Sequence, residues 1–313
     1  MSELGDGLTV RIRNPRAGDL PAGSLCFFAA PGTEARGHAS LWDDLKATEP
    51  HRCVEVLDQQ PRSITYESEG RKASTSLVAL ESLRPLLTRF SSVCIDISGL
   101  AHHVWASVVR VAIATTPTVH AIYFEPERYR PHSSPTSTSL YDLSDSFRGI
   151  EPLPGLANLR GPSTDGAALF VPFLGFEGTR APYLAMALGD PIPRVIPVIG
   201  VPGFRFDYQQ VAVNSNQQFL DEHRAYADIR FARASCPFEA YQALEDIRKD
   251  HSGKYLYIAP IGTKPHALGA IWYALEHPDD TEVLYDHPVR KPKRTEGIGL
   301  AHIYTVKPSS ASP

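Results

Sequence analysis

Two stretches of this chain set glycine, threonine and a cation side by side, between an apolar run and a helix-patterned one. They are Gly178-Thr179-Arg180 and Gly262-Thr263-Lys264. Unpaired backbone N–H groups at a helix start, with the positive end of the helix dipole and an added hydroxyl and cation, suit an anion. Phosphate is the obvious guest. Pro265 follows Lys264 and fits a first helical position, where its missing N–H loses nothing; His266 lies on the same first turn. Neither loop has the full Gly-x-x-x-x-Gly-Lys-Ser/Thr pattern, so each alone is as readily turn chemistry as a binding loop. The repetition shifts the balance. If the two preceding strands are neighbours, two helix starts, two hydroxyls, Arg180 and Lys264 converge on one cleft, which suits an anion with more than one phosphate.

Other ionisable groups cluster in the same half of the sequence. Arg290 and Arg294 belong to the basic run Val289–Thr295, the only concentrated positive charge in the chain, which is either a solvated hairpin loop or an electrostatic aid to the cleft. Glu177 and Asp286 are candidate general bases or nucleophiles, and His287 or His266 candidate proton carriers, if the ligand is turned over. The loop Val201-Pro-Gly-Phe-Arg-Phe-Asp-Tyr208 carries aromatics able to stack on a base. In the first half, Asp96 and Glu125 fall at strand ends, either as an acid/base pair or as a turn cap and a solvated carboxylate.

Strands and helices must position these residues, and the pattern of apolar residues says where they fall. Leu25–Ala30, Cys53–Leu57, Ser63–Tyr66, Val93–Ile97 and Val119–Phe124 read as strands, with helices over Ser76–Phe90 and His103–Thr115. Later strands are expected at Ala168–Leu174, Val195–Gly200, Asp228–Phe231, Tyr255–Ala259, Thr281–Tyr285 and Leu300–Val306. Helices are expected from Ala181, from Tyr208 to His223, from Pro237 to Asp250 and after Pro265. This alternation implies an α/β fold of two Rossmann-like, mostly parallel sheets with flanking helices. The Ser-, Pro- and Thr-rich text from His132 to Asp165 marks a boundary. It divides the chain into a first domain, 1–150, a linker, 151–165, and a ligand-binding domain, 166–313.

Composition narrows the function. Of 313 residues 42% are hydrophobic and 21% charged, an ordinary globular balance, and the net charge of −4 gives no blanket attraction to nucleic acid. No run approaches the ~20 apolar residues of a membrane span, and the first residues lack a signal-peptide layout, so a cytoplasmic protein with no membrane partner is expected. Cys26, Cys53, Cys94 and Cys236 have no paired spacing, so neither a metal site nor a disulfide framework is indicated, and no cofactor is expected.

The segment Tyr257-Ile-Ala-Pro-Ile-Gly-Thr-Lys-Pro265 resembles the CRISPR-associated Rossmann-fold sensor domains, which carry a strand, a Gly-Thr-Lys loop and a helix late in the domain and a matching loop after the first strand. The resemblance implies a homo-oligomer that recognises a cyclic oligonucleotide signal at a dimer interface, with Gly262, Thr263 and Lys264 at the phosphates or ribose. It implies a sensor or regulatory role in bacterial antiviral defence, with a separate effector chain or the first domain as output. The chain departs from the family in having Pro260-Ile261 before Gly262, where many members carry Thr-Gly. The alternative is a hydrolase or transferase acting on a nucleotide or sugar phosphate.

Overall fold

The computed structural model describes residues 8–32, 34, 36, 40–158, 161–162 and 168–307. The chain divides into two compact units, one running to Tyr129 and resuming at Thr295, the other spanning Arg130–Arg294. The first unit begins with β1 (Thr9–Arg13), β2 (Ser24–Ala29), α1 (Ser40–Thr48), β3 (Cys53–Gln59), β4 (Ser63–Ser68), β5 (Arg71–Ser76), α2 (Arg84–Leu87), β6 (Ser92–Asp96), α3 (His102–Ile113), β7 (Val119–Phe124) and β8 (Arg128–Tyr129). The second holds β9 (Ser144–Phe147), β10 (Glu151–Pro152), β11 (Ala168–Leu174), α4 (Arg180–Met186), β12 (Arg194–Val195), β13 (Val198–Gly200), α5 (Tyr208–Ser215), α6 (Gln217–Glu222), β14 (Arg230–Ala232), α7 (Pro237–Asp250), β15 (Tyr255–Ala259), α8 (Lys264–Glu276), β16 (Thr281–Tyr285) and β17 (Pro288–Arg290). The chain then returns to the first unit as β18 (Thr295–Glu296) and β19 (Leu300–Val306).

The first unit's sheet runs β1-β19-β7-β6-β2-β3-β4-β5. Its centre, β7-β6-β2-β3, is parallel, and β2 and β6 are buried throughout and apolar but for Ser24, Ser92 and Asp96 at their ends, as suits strands covered on both faces. Its flanks are antiparallel, so this sheet is mixed rather than mostly parallel. One flank is a meander: Glu69 and Gly70, both at positive φ, make the two-residue turn that folds β5 back on β4. The expected helix over Ser76–Phe90 keeps its buried leucines but shrinks to a 3-10 turn at Leu80–Leu83 and the short α2. Residues 71–76 are instead spent on the edge strand, and Pro85 enters the helix at its start, where alone it is tolerated. Asp96 is a turn cap: its Oδ1 accepts from the Ser98 and Gly99 N–H groups at 2.7 and 3.1 Å, and its Oδ2 from Trp42 Nε1 at 3.3 Å. Glu125 pairs with His302 at 3.1 Å, so the two carboxylates do not form an acid/base pair.

In the second unit the sheet order is β10-β16-β15-β11-β13-β14, parallel from β16 to β14 with antiparallel β10 at its edge. Alternate residues of β11 enter two cores. Leu169, Val171 and Phe173 pack with α7 and α8, whereas Phe170 and Leu174 pack with α4, α5 and α6, so helices cover both faces. From β11 the chain steps outward through β13 to β14, then crosses back to β15 and β16 on the other side of β11. The order therefore reverses between β11 and β15.

Two expected boundaries change. Leu300–Val306 does not close the second domain, because Ala301 and Ile303 bury in the first unit's core and the strand pairs with β7 and β1. Conversely, β9 and β10, placed by sequence in the first domain and the linker, pair with β17 and β16 of the second unit. The expected helix Tyr208–His223 breaks at Asn216, which divides α5 from α6.

Candidate ligand-binding site at the sheet reversal

β11 and β15 are hydrogen-bonded neighbours, in register from Ala168↔Tyr255 to Pro172↔Ala259. Their loops leave the sheet together, and glycine lets them touch. A Cβ on Gly175 would lie 3.1 Å from the Ile261 carbonyl oxygen and 3.2 Å from Gly262 Cα; one on Gly262 would lie 3.0 Å from the carbonyl oxygens of both Phe173 and Leu174. Gly262 is thus needed first for close backbone approach. Asn216, 1% exposed, ties the same point to the helices: its Nδ2 donates to the carbonyls of Gly175 and Ala212, each at 2.8 Å.

The cation of the first loop turns inward. Arg180 is 1% exposed; Nε and Nη2 donate to the two Asp286 carboxylate oxygens at 2.8 and 2.6 Å, and Nη1 donates to the Ile261 carbonyl at 2.9 Å. Asp286, at the end of β16, is fully buried. Burial works against the charge on Arg180, and the hydrogen bonds and charge of Asp286 more than restore it, raising its pKa above the ordinary value. Glu177 lies 3.7 Å from Arg180 and accepts from Arg290 Nη1 at 2.9 Å, and Arg290 in turn donates to Ser144 Oγ at 3.0 Å. Asp286, Arg180, Glu177 and Arg290 form one chain of ion pairs that binds the ends of β11, β15, β16 and β9 together.

That chain overturns part of the sequence reading. Arg180 is committed to Asp286 and Ile261 and is not offered to an anion, and Glu177 and Asp286 are salt-bridge partners rather than poised bases. Gly178 serves packing: a Cβ there would sit 1.7 Å from the Ser215 carbonyl oxygen. Thr179, exposed, makes no cap bond to α4. His287, at φ 46°, turns its ring to the edge strand, with Nε2 3.0 Å from the Glu151 carbonyl, which makes it a clamp on β10 rather than a proton carrier. Arg294 closes the second unit, where its carbonyl accepts from the Arg130 N–H at 2.9 Å.

The second loop behaves differently. Thr263 is the N-cap of α8, its Oγ1 accepting from the His266 N–H at 3.3 Å and donating to the Ala234 carbonyl at 2.7 Å. Pro265 brings no N–H, and the Ala267 N–H already bonds the Thr263 carbonyl. His266 is fully buried, edge-on to Phe173, with Nε2 2.9 Å from the Arg233 carbonyl; burial lowers its pKa to about 4, so it is a neutral packing residue that donates from Nε2, not a ligand contact. Lys264 stands partly exposed at the first helical position.

An aromatic rim extends from that point. Phe176 follows Gly175 and packs edge-on against Tyr208, centroids 5.1 Å apart, with Tyr141 4.9 Å from Phe176. The Arg205 guanidinium lies over Tyr208 at 5.8 Å, and Phe206 beside it is 93% exposed. In the sequence, Phe176 shows only as an aromatic next to a strand-end glycine, and Asn216 as a polar residue within a helical run that could face a cleft or water. Among the described residues no group of His, Cys, Asp and Glu could hold a metal ion, and no helix is long and apolar enough to cross a membrane. Comparison of the chain with family models, with curated proteins and with solved structures finds no match.

Proposed function

We propose that the second unit is a Rossmann-like module that binds a nucleotide or oligonucleotide signal beyond the carboxyl ends of β11 and β15, within a cytoplasmic sensor or regulatory protein. The observation that carries the reading is the reversal of strand order between β11 and β15, with α8 opening at that point behind Gly262, Thr263 and Lys264. Open parallel sheets covered by helices bind ligands in the crevice at such a reversal. The resemblance of Tyr257–Pro265 to CRISPR-associated sensor domains supports a signal as the ligand and antiviral defence as the setting. Four buried, unbridged cysteines are in keeping with a reducing compartment.

Binding rather than turnover is favoured because the groups best suited to acid/base work are engaged: Asp286 and Glu177 hold Arg180 and Arg290, and His266 is buried. A thermal-shift screen against nucleoside phosphates, cyclic di- and oligonucleotides and sugar phosphates, followed by chromatography of each mixture, tests the reading. The expected result is a rise of several degrees in Tm with one nucleotide class, the compound recovered intact and the shift lost in Lys264→Ala, whose own Tm stays near wild type. A consumed compound would make the protein an enzyme. A shift that survives in Lys264→Ala would place the site elsewhere.

A further inference from the structure

We infer that the loop between β13 and α5, residues 201–207, is a platform on which a nucleobase stacks, with Phe206 and Arg205 as its working side chains. The inference rests on the proposed nucleotide site and names which part of the ligand is read and where.

The loop is tied down at both ends. The Gly203 N–H donates to Gln209 Oε1 at 3.0 Å, the Pro202 carbonyl accepts from the Ala234 N–H at 3.1 Å, and the Arg205 carbonyl accepts from the Tyr208 N–H at 3.1 Å. A Cβ at Gly203 would lie 2.8 Å from the Arg205 carbonyl oxygen, so the turn is tight and admits little else there. Yet this braced turn holds the Phe206 side chain out in solvent, 93% exposed, the most exposed large apolar residue described.

Its surroundings are those of a base-binding surface. Arg205 lies over Tyr208 and 3.6 Å from Asp207, Tyr208 meets Phe176, and Phe176 adjoins the glycine contact at the strand reversal, so a chain of ring contacts, with Tyr208 buried in its middle, leads from that point to the loop that carries Arg205 and Phe206 at the surface. Planar rings and guanidinium groups stack on any base, because every base has a π-face. A nucleotide whose phosphates lie at Gly262–Lys264 therefore has a platform for its base on the same carboxyl edge. Ribose phosphates and inorganic polyphosphates have nothing to place there.

The test uses the full chain as wild type, Phe206→Ala and Phe206→Trp, titrated with four probes: ATP, a cyclic tetra-adenylate, ribose 5-phosphate and tripolyphosphate. The native tryptophans, Trp42, Trp105 and Trp272, are all buried, so an indole at 206 reports the surface. Expected are tighter binding of a base-bearing probe than of the base-free ones, weakening of that probe by about 5- to 150-fold in Phe206→Ala, as loss of one stacking partner gives, and retained affinity with quenched fluorescence in Phe206→Trp. Base-bearing probes bound equally by wild type and Phe206→Ala, or no more tightly than tripolyphosphate, would overturn the platform while leaving the phosphate site standing. A wild type that binds none of the four would overturn the site and the platform together.

Discussion

Gly178-Thr179-Arg180 and Gly262-Thr263-Lys264 match in residue type and in place, each ending the loop after one of two adjacent parallel strands, and they differ in nearly everything they do. In the first, the glycine packs under a carbonyl, the threonine caps nothing and the cation is buried on Asp286. In the second, the glycine admits a neighbouring backbone, the threonine caps a thirteen-residue helix and the cation stays at the surface. What separates them is the strand beyond. β16 ends in an acidic residue that meets Arg180 across the Ile261 carbonyl. A cation after a strand becomes structural when its side chain reaches an acid at the end of another strand, here the one two places away, across the intervening β15 loop.

The largest expected effect tests that rule. Asp286→Ala leaves the Arg180 charge buried without its partner and is expected to cost about 3–5 kcal/mol, read as a fall in the urea midpoint, whereas Lys264→Ala should move stability by no more than about 0.5 kcal/mol. Equal losses would erase the distinction between the loops. The next concerns His266, two residues after Lys264, where the first loop has Pro182. Its folded-state pKa of about 4 lies below the ordinary value of 6.5, so the unfolded chain takes up the proton first. Its contribution is full above pH 6.5 and is lost as the pH falls toward 4. Unfolding free energies measured from pH 7 to 4 should drop more steeply for wild type than for His266→Gln; parallel curves would mean that the ring is not held neutral.

Gly178→Ala follows, at about 1–3 kcal/mol for overpacking, with Gly262→Ala the milder of the two because its contacts begin at 3.0 Å rather than 1.7 Å. Denaturation of both variants checks the order. Smallest is the threonine pair: Thr263→Ala removes an N-cap and should cost about 1 kcal/mol, and Thr179→Ala, which removes no cap, should stay within about 0.5 kcal/mol. Thermal melts of the two side by side would show whether only one loop caps its helix.

Much of the fold was legible because burial writes itself into the pattern. The apolar runs of β2, β6, β11 and β15 and the periodicity of α3, α7 and α8 are visible without coordinates, since a strand covered on both faces must be apolar throughout. The partner of a terminal strand was not, since Leu300–Val306 fits either sheet by pattern and its choice rests on pairing some three hundred residues away in sequence, Thr9↔Tyr304. β5 was missed because Arg71-Lys-Ala-Ser-Thr-Ser76 is a largely exposed edge strand with no apolar alternation. At the site, both Gly-Thr-cation loops could be found, but not which cation faces inward: that depends on Asp286, more than a hundred residues after Arg180, and no local spacing encodes it.

The return of the chain to the first sheet sets an order of events during synthesis. β1 pairs only with β19 among the described strands, so it waits for a strand made after the whole of the second unit. While the ribosome works, residues 130–294 are complete before the first sheet can close, and the antiparallel pair β8–β18 then joins the two crossings into and out of them. Nascent chains halted before Leu300 should therefore hold a finished second unit on an unfinished first one, with β7 presenting an open edge to whatever chaperone or neighbour reaches it.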